Sequence, residues 1–120
     1  MFKPTDVGEI IATREYLLDG AKKVTVLIGK PQPHASDKQW VDWYCPFQKR
    51  GLDSDRVKRA WGVDPIQALL LALQMLGAEL YSSEEYKTGR LTWHCERVKG
   101  DLGLPVMEII RDVLPKGAGV

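Results

Sequence analysis

Histidine and cysteine are scarce in this chain: His34, His94, Cys45 and Cys95 are the only examples among 120 residues. Two cysteines cannot staple a disulfide scaffold, and in a reducing compartment both are expected as buried, inert thiols. The short paired spacings of zinc modules are missing too, so neither a metal site nor any other cofactor is expected. No apolar stretch is longer than Ala68 to Leu73, far short of a bilayer span, and Met1 to Asp6 lacks the apolar core of a secretion signal. These gaps predict a cytoplasmic protein with no membrane segment. Net charge is lacking as well, because 17 basic residues nearly balance 16 acidic ones and leave +1. No global field therefore draws the chain to nucleic acid or anionic lipid, and such binding would need a local patch. Glycine- or serine-rich linkers and internal repeats are absent, and Gly100-x-x-Gly103 lacks the lysine and the strand-to-helix setting of a phosphate-cradling loop.

What is present is ordinary globular material, 44% hydrophobic and 28% charged with a mean hydropathy of −0.24. That much apolar surface offsets chain entropy, and the length suits one core, so residues 1–120 are read as a single domain. Two β-rich runs, Glu9 to Leu18 and Lys22 to Lys30, flank Asp19-Gly20, a strong hairpin signal. Register stays open, since a two-residue turn pairs Leu18 with Ala21 and a longer one shifts the face that carries Val24, Val26 and Ile28. The proline-rich stretch Pro31 to Asp37 reads as a connector. Gln39 to Phe47 alternates, with Val41, Trp43, Cys45 and Phe47 on the expected core face and Trp40, Asp42 and Tyr44 opposite. A short fourth strand is expected at Arg56 to Trp61.

The clearest local signal is a helix from Pro65 to Tyr81. Asp64 can cap it, Pro65 suits its first position, and Gln67 completes a capping-box spacing. Ile66, Leu69, Leu70, Leu73, Leu76 and Leu80 form its main apolar stripe, with Leu71 and Met75 off it, so more than one side needs cover. The sheet and the C-terminal segment can supply that cover, or a second copy can, making a homodimer. Gly77 inside the helix predicts a close backbone approach, from a crossing strand. After a polar loop at Ser82 to Gly89, Leu91, Trp93 and Cys95 alternate as in a half-buried strand. The turn Gly100 to Pro105 then precedes a short C-terminal helix, where Val106, Ile109, Ile110 and Val113 recur at helical spacing and Pro115 would end it. The expected fold is α+β: an antiparallel meander of about four to five strands packed on one long apolar helix.

Gly62-Val63-Asp64-Pro65-Ile66-Gln67-Ala68-Leu69, Leu91-Thr92-Trp93 and Gly100 to Pro105 resemble segments of an uncharacterised family of small bacterial α+β proteins, over most of the second half. The resemblance implies a shared fold and carries no catalytic residues.

No catalytic constellation stands out. His94 and Cys95 point to opposite faces of a strand, and the acidic residues fall where solvated turns are expected. A basic run, Lys49-Arg50, Arg56, Lys58 and Arg59, near Tyr44 and Trp61, offers a nucleic-acid surface as a lesser alternative. The leading expectation is a non-enzymatic bacterial module that binds a protein partner, of an inhibitor or immunity type by analogy. Its interaction residues are expected to be Trp40, Asp42, Tyr44, Arg56, Arg59 and Trp61. A small enzyme using Cys45 or a histidine is the alternative from another class.

Overall fold

The first hairpin sets the frame for the rest of the sheet. In the computed structural model, which describes residues 6–35, 41–94 and 99–106, β1 (Ile10–Leu18) and β2 (Lys22–Gly29) are joined by a turn with positive φ at Asp19 and Gly20. Ala21 N–H donates to Leu18 O at 3.1 Å, yet the ladder begins one residue later, with Leu18 opposite Lys22. That extra residue resolves the open register. Tyr16, Leu18, Val24, Val26 and Ile28 all face the main core.

Three more strands continue the antiparallel sheet: β3 (Gln32–His34), β4 (Asp42–Arg50) and β5 (Lys58–Gly62). β4 carries β5 on one edge, while β2 pairs with Phe47 to Arg50 and β3 with Asp42 to Tyr44 on the other. β2 and β3 thus behave as one interrupted strand. The interruption has a cause in Pro46: continuing the β2–β4 register would put Gly29 opposite this proline, which has no N–H. The Cys45 thiol donates to Gly29 O at 3.3 Å instead.

The helix α1 (Pro65–Tyr81) has the expected bounds. Asp64 Oδ1 accepts from Gln67 N–H at 2.7 Å, and Gln67 Oε1 accepts from Val63 N–H at 2.8 Å, so two backbone donors are satisfied at its start. A short helix α2 (Glu84–Lys87) occupies the predicted polar loop, and β6 (Leu91–Thr92) pairs with β1. The result is α+β, with a sheet of six strands among the described residues and α1 packed over β4 and β5.

Three expectations need correction. The buried side of α1 is Ala68, Ala72, Leu76, Gly77, Leu80 and Tyr81, so of the expected stripe Leu76 and Leu80 are buried and Leu69 and Leu73 half-buried, while Ile66 is 76% exposed and Leu70 49%. Small residues win the contact because they let the helix axis lie close to the strands. Val41 precedes β4 and is exposed, although Cys45 and Phe47 are core residues as expected. Gly77 does meet backbone, but the close partner is an irregular strap, 100–106, not a strand: a Cβ on Gly77 would lie 2.2 Å from Pro105 O. The Cys95 end of the predicted last strand, and nearly all of the predicted C-terminal helix, lie outside the described residues.

The strap is held polar group by polar group. Tyr16 Oη donates to Leu102 O at 2.7 Å, and Leu102 N–H donates to Tyr81 Oη at 2.9 Å. Arg14 donates to Gly103 O at 2.7 Å, with its guanidinium 4.3 Å from the centre of the Trp93 ring. Asp101 is fully buried, and its Oδ1 accepts from Gly103 N–H. Two substitutions check this account by urea denaturation. Asp64→Ala is expected to lose about 1 kcal/mol as the cap disappears. Gly77→Ala gains about 1 kcal/mol of helix propensity in isolation, yet is expected to destabilise the protein by ~1–3 kcal/mol because the strap must move.

Candidate functional site

The face of the sheet turned away from α1 carries the chemistry. Cross-strand register places Gln32 beside Tyr44, Tyr44 beside Trp61, and His34 beside Asp42. Because side chains alternate, these residues share the outer face with Arg59 and Pro46, while Cys45, Phe47 and Ala60 point into the core. Tyr44 and Trp61 have ring centroids 5.3 Å apart, and His34 stands edge-on to Trp61 at 5.4 Å and to Tyr44 at 6.5 Å. The Arg59 guanidinium lies 5.7 Å from the Tyr44 ring centre. Trp61 keeps 45% of its surface exposed.

A cleft of about 430 Å³ opens beside this group, bounded by Asp6, Gly8, Gln32, His34, Tyr44, Pro46 and Arg59. Its lining mixes both charges with aromatic surface. Val7, Leu27 and Val57 form a small apolar cluster of their own, separate from the main core.

Of the predicted interaction residues, the structure brings together Asp42, Tyr44, Arg59 and Trp61. Arg56 stays apart, exposed in the turn before β5 with its N–H donated to Ser54 Oγ. Trp40 lies outside the described residues. The predicted basic patch is dispersed: Lys58 and Lys49 reach Glu79 of α1 at 2.8 and 3.4 Å on the helix side of the sheet, and Arg50 donates to Gln48 Oε1. Only Arg59 of that run joins the outer aromatic group.

His34 and Gln32 were missed as site residues because Pro31 and Pro33 made their segment read as a connector. An edge strand tolerates proline, however, and β3 borders β4 alone. The available signal was the alternation of Gln32 and His34 around Pro33.

With this geometry in view, comparison with known proteins gives one match. The chain belongs to the family described as Domain of unknown function (DUF6968). The family model matches residues 12–106, which takes in every described strand and helix except the first two residues of β1, and ends with the strap. No curated protein and no solved structure matches the chain.

In this DUF6968 domain catalysis through Cys45 meets a physical obstacle. Burial pushes the Cys45 thiol up from its usual 9.0 to about 11, and its hydrogen goes to Gly29 O. His34 is on the opposite face of the sheet, so it cannot serve that thiol as a base. Among the described residues no group of three histidine, cysteine or carboxylate side chains is placed to hold a metal ion, and no helix is long and apolar enough to cross a membrane.

A thiol whose pKa is raised by folding favours the protonated form. Its stabilising contribution is therefore full below pH 9.0 and is lost as pH rises through about 11. At pH 8, alkylation of Cys45 is expected to be slower in the folded protein than in urea by on the order of a hundredfold, from the thiolate fraction alone. Mass spectrometry of the Cys45 peptide after timed labelling checks this, and equal rates in both states would show an accessible thiolate.

Proposed function

We propose that this DUF6968 domain is a non-enzymatic protein-interaction module that contacts its partner through the outer face around Tyr44, Arg59, Trp61 and His34. The observation that carries this reading is the aromatic group with its arginine, gathered on a sheet face that α1 does not cover. Tryptophan, tyrosine and arginine supply a large share of binding energy at protein interfaces. Their rigid surfaces bury much area at small entropic cost, and their polar ends still find partners at the rim. Here cross-strand neighbours already hold the rings in place, so little ordering remains to oppose binding.

Asp6 lines the same cleft as Arg59 and Asp42 lies near Trp61, so the face carries both signs of charge and suits a partner of mixed charge better than a polyanion. An inhibitor or immunity-type role is one form this binding can take, in a bacterial cytoplasmic setting. A small cysteine- or histidine-dependent enzyme is the reading from another class, and on the outer face it would work through His34 beside Asp42.

Affinity purification from the native host tests the proposal with the full chain and with Arg59→Ala, Trp61→Ala and the distant control Glu15→Ala, each first confirmed folded by circular dichroism. A stoichiometric protein partner retained by the control and reduced at least tenfold by each outer-face variant is expected, since hot-spot truncations cost about 2 kcal/mol or more. A partner indifferent to both variants, or recovery of nucleic acid in its place, would reject this surface.

A further inference from the structure

β1 is a long strand with a short neighbour. On the side away from β2 it pairs only through Leu17 and Leu18, with Thr92 and Leu91 of β6, so among the described residues this edge is open from Ile10 to Tyr16. Antiparallel pairing turns the backbone groups of successive residues to alternate sides. Asp19 N–H donates to Arg90 O at 2.9 Å, on the β6 side, and this fixes the alternation. Leu17, Glu15 and Thr13 present N–H and C=O to that side, whereas Tyr16 and Arg14 turn theirs to β2.

Edges of this length are ordinarily blunted by lysine, by proline or by a charge pointing across them. Ile10 to Tyr16 holds neither lysine nor proline. Its two charged side chains are engaged within the molecule: Arg14 donates to Gly103 O at 2.7 Å, and Glu15 lies 3.8 Å from Lys23 of β2. Ile10 and Ile11 keep 46% and 47% of their surface exposed, and Ala12 and Thr13 are exposed as well. The one protective device is an irregularity between Ile10 and Ala12, and it leaves the strand regular from Ala12 onward.

Charge and register select the occupant. A second copy can add its own β1 antiparallel about a twofold axis normal to the sheet, and the residue on that axis decides which side chains meet. Arg14 or Glu15 on the axis would face its own charge, and Ala12 there would set Glu15 against Glu9 of the second copy. Ile11 there would bring the irregular stretches of both strands together. Thr13 is the remaining centre. It is the middle of the open stretch, so the two edges overlap along their whole length with β6 of each copy at the limits. Its N–H and C=O face the axis and can bond those of its counterpart. Opposed threonines are a favourable cross-strand pair, while Glu15 meets Ile11 and Arg14 meets Ala12, with no like charges opposite one another.

We propose that β1 is a self-docking edge, through which two copies of the chain join antiparallel about Thr13 and merge their sheets into one. A second copy is the occupant because length, charge and centre match when β1 is set against itself. This contact is independent of the outer-face reading, since β1 and β5 lie toward opposite edges of the sheet. A single strand pair buries little area, so the dimer forms reversibly with concentration.

Sedimentation equilibrium of the full chain from about 10 μM to ~1 mM tests it, with Thr13→Pro, Thr13→Glu and Leu70→Ser alongside. Thr13→Pro removes an N–H that the monomer does not use, so its circular dichroism is expected to match the parent while its dimer is lost. Thr13→Glu puts like charges on the axis and is expected to weaken the dimer about tenfold, with part of the loss recovered in high salt. Leu70→Ser is expected to leave the dimer unchanged. Hydrogen exchange at the Thr13 and Glu15 amides is expected to slow as concentration rises, with Arg14 unaffected; should Thr13→Pro fail to fold, this readout and Thr13→Glu carry the test. A parent that stays monomeric at ~1 mM, a dimer that survives both Thr13 substitutions, or one dissociated by Leu70→Ser would overturn the proposal, the last by moving the interface to α1.

Discussion

Ala68, Ala72 and Gly77 expose so little side chain that α1 can approach both the sheet and the strap at backbone distance. On this close approach the other contacts depend. With Leu76 and Leu80 it brings the helix down over β4 and β5, where Glu79 comes within ion-pair reach of Lys49 and Lys58. On the other side it leaves a channel wide enough for one extended segment, and the strap fills it with Leu102 and Leu104. Larger residues at these helical positions would hold the layers apart and leave the tyrosines of β1 and α1 without the backbone groups they bind.

The strap shows how side chains can take up the backbone groups of a buried segment. Its carbonyls and N–H groups inside the core meet Tyr16, Tyr81 and Arg14, and Tyr86 Oη donates to Gly100 O at 2.7 Å. Burial and the nearby Asp101 carboxylate push both Tyr16 and Tyr81 upward, Tyr81 to about 12, with burial the larger cause. Both hydroxyls therefore stay protonated and able to donate through the neutral range. With one sheet face committed to α1 and the strap, the opposite face is available for display.

Much of the architecture was legible in the residues. The Asp64-Pro65-Gln67 signature fixed the start of α1, because capping is local chemistry that needs no tertiary partner. Asp19-Gly20 located the first hairpin for the same reason. The register of that hairpin was not legible: one extra turn residue, Ala21, decides it, and the energy that selects it comes from burying Tyr16, Leu18 and Val24 together. The buried side of α1 was read in part: Leu76 and Leu80 are buried as expected, but hydrophobicity ranks Leu70 above Ala72, whereas close packing against strands rewards the smaller side chain. Tyr44, Arg59 and Trp61 were singled out individually, but nothing local could separate Arg56 from them, and the one local sign of His34 was its alternation with Gln32 around Pro33.

By itself, then, the sequence determined the class of the fold, the ends of its main helix, the position of its first turn and the scarcity of catalytic groups. These follow from composition and from interactions within a few residues of one another. Tertiary structure alone decided which helix side is buried, that β2 and β3 break at Pro46, that the lysines turn toward Glu79, and that His34, Tyr44, Arg59 and Trp61 meet on one face. Each of those outcomes is a choice among contacts between residues distant in the chain. Such choices are settled by shared burial and strand register rather than by any single residue's preference.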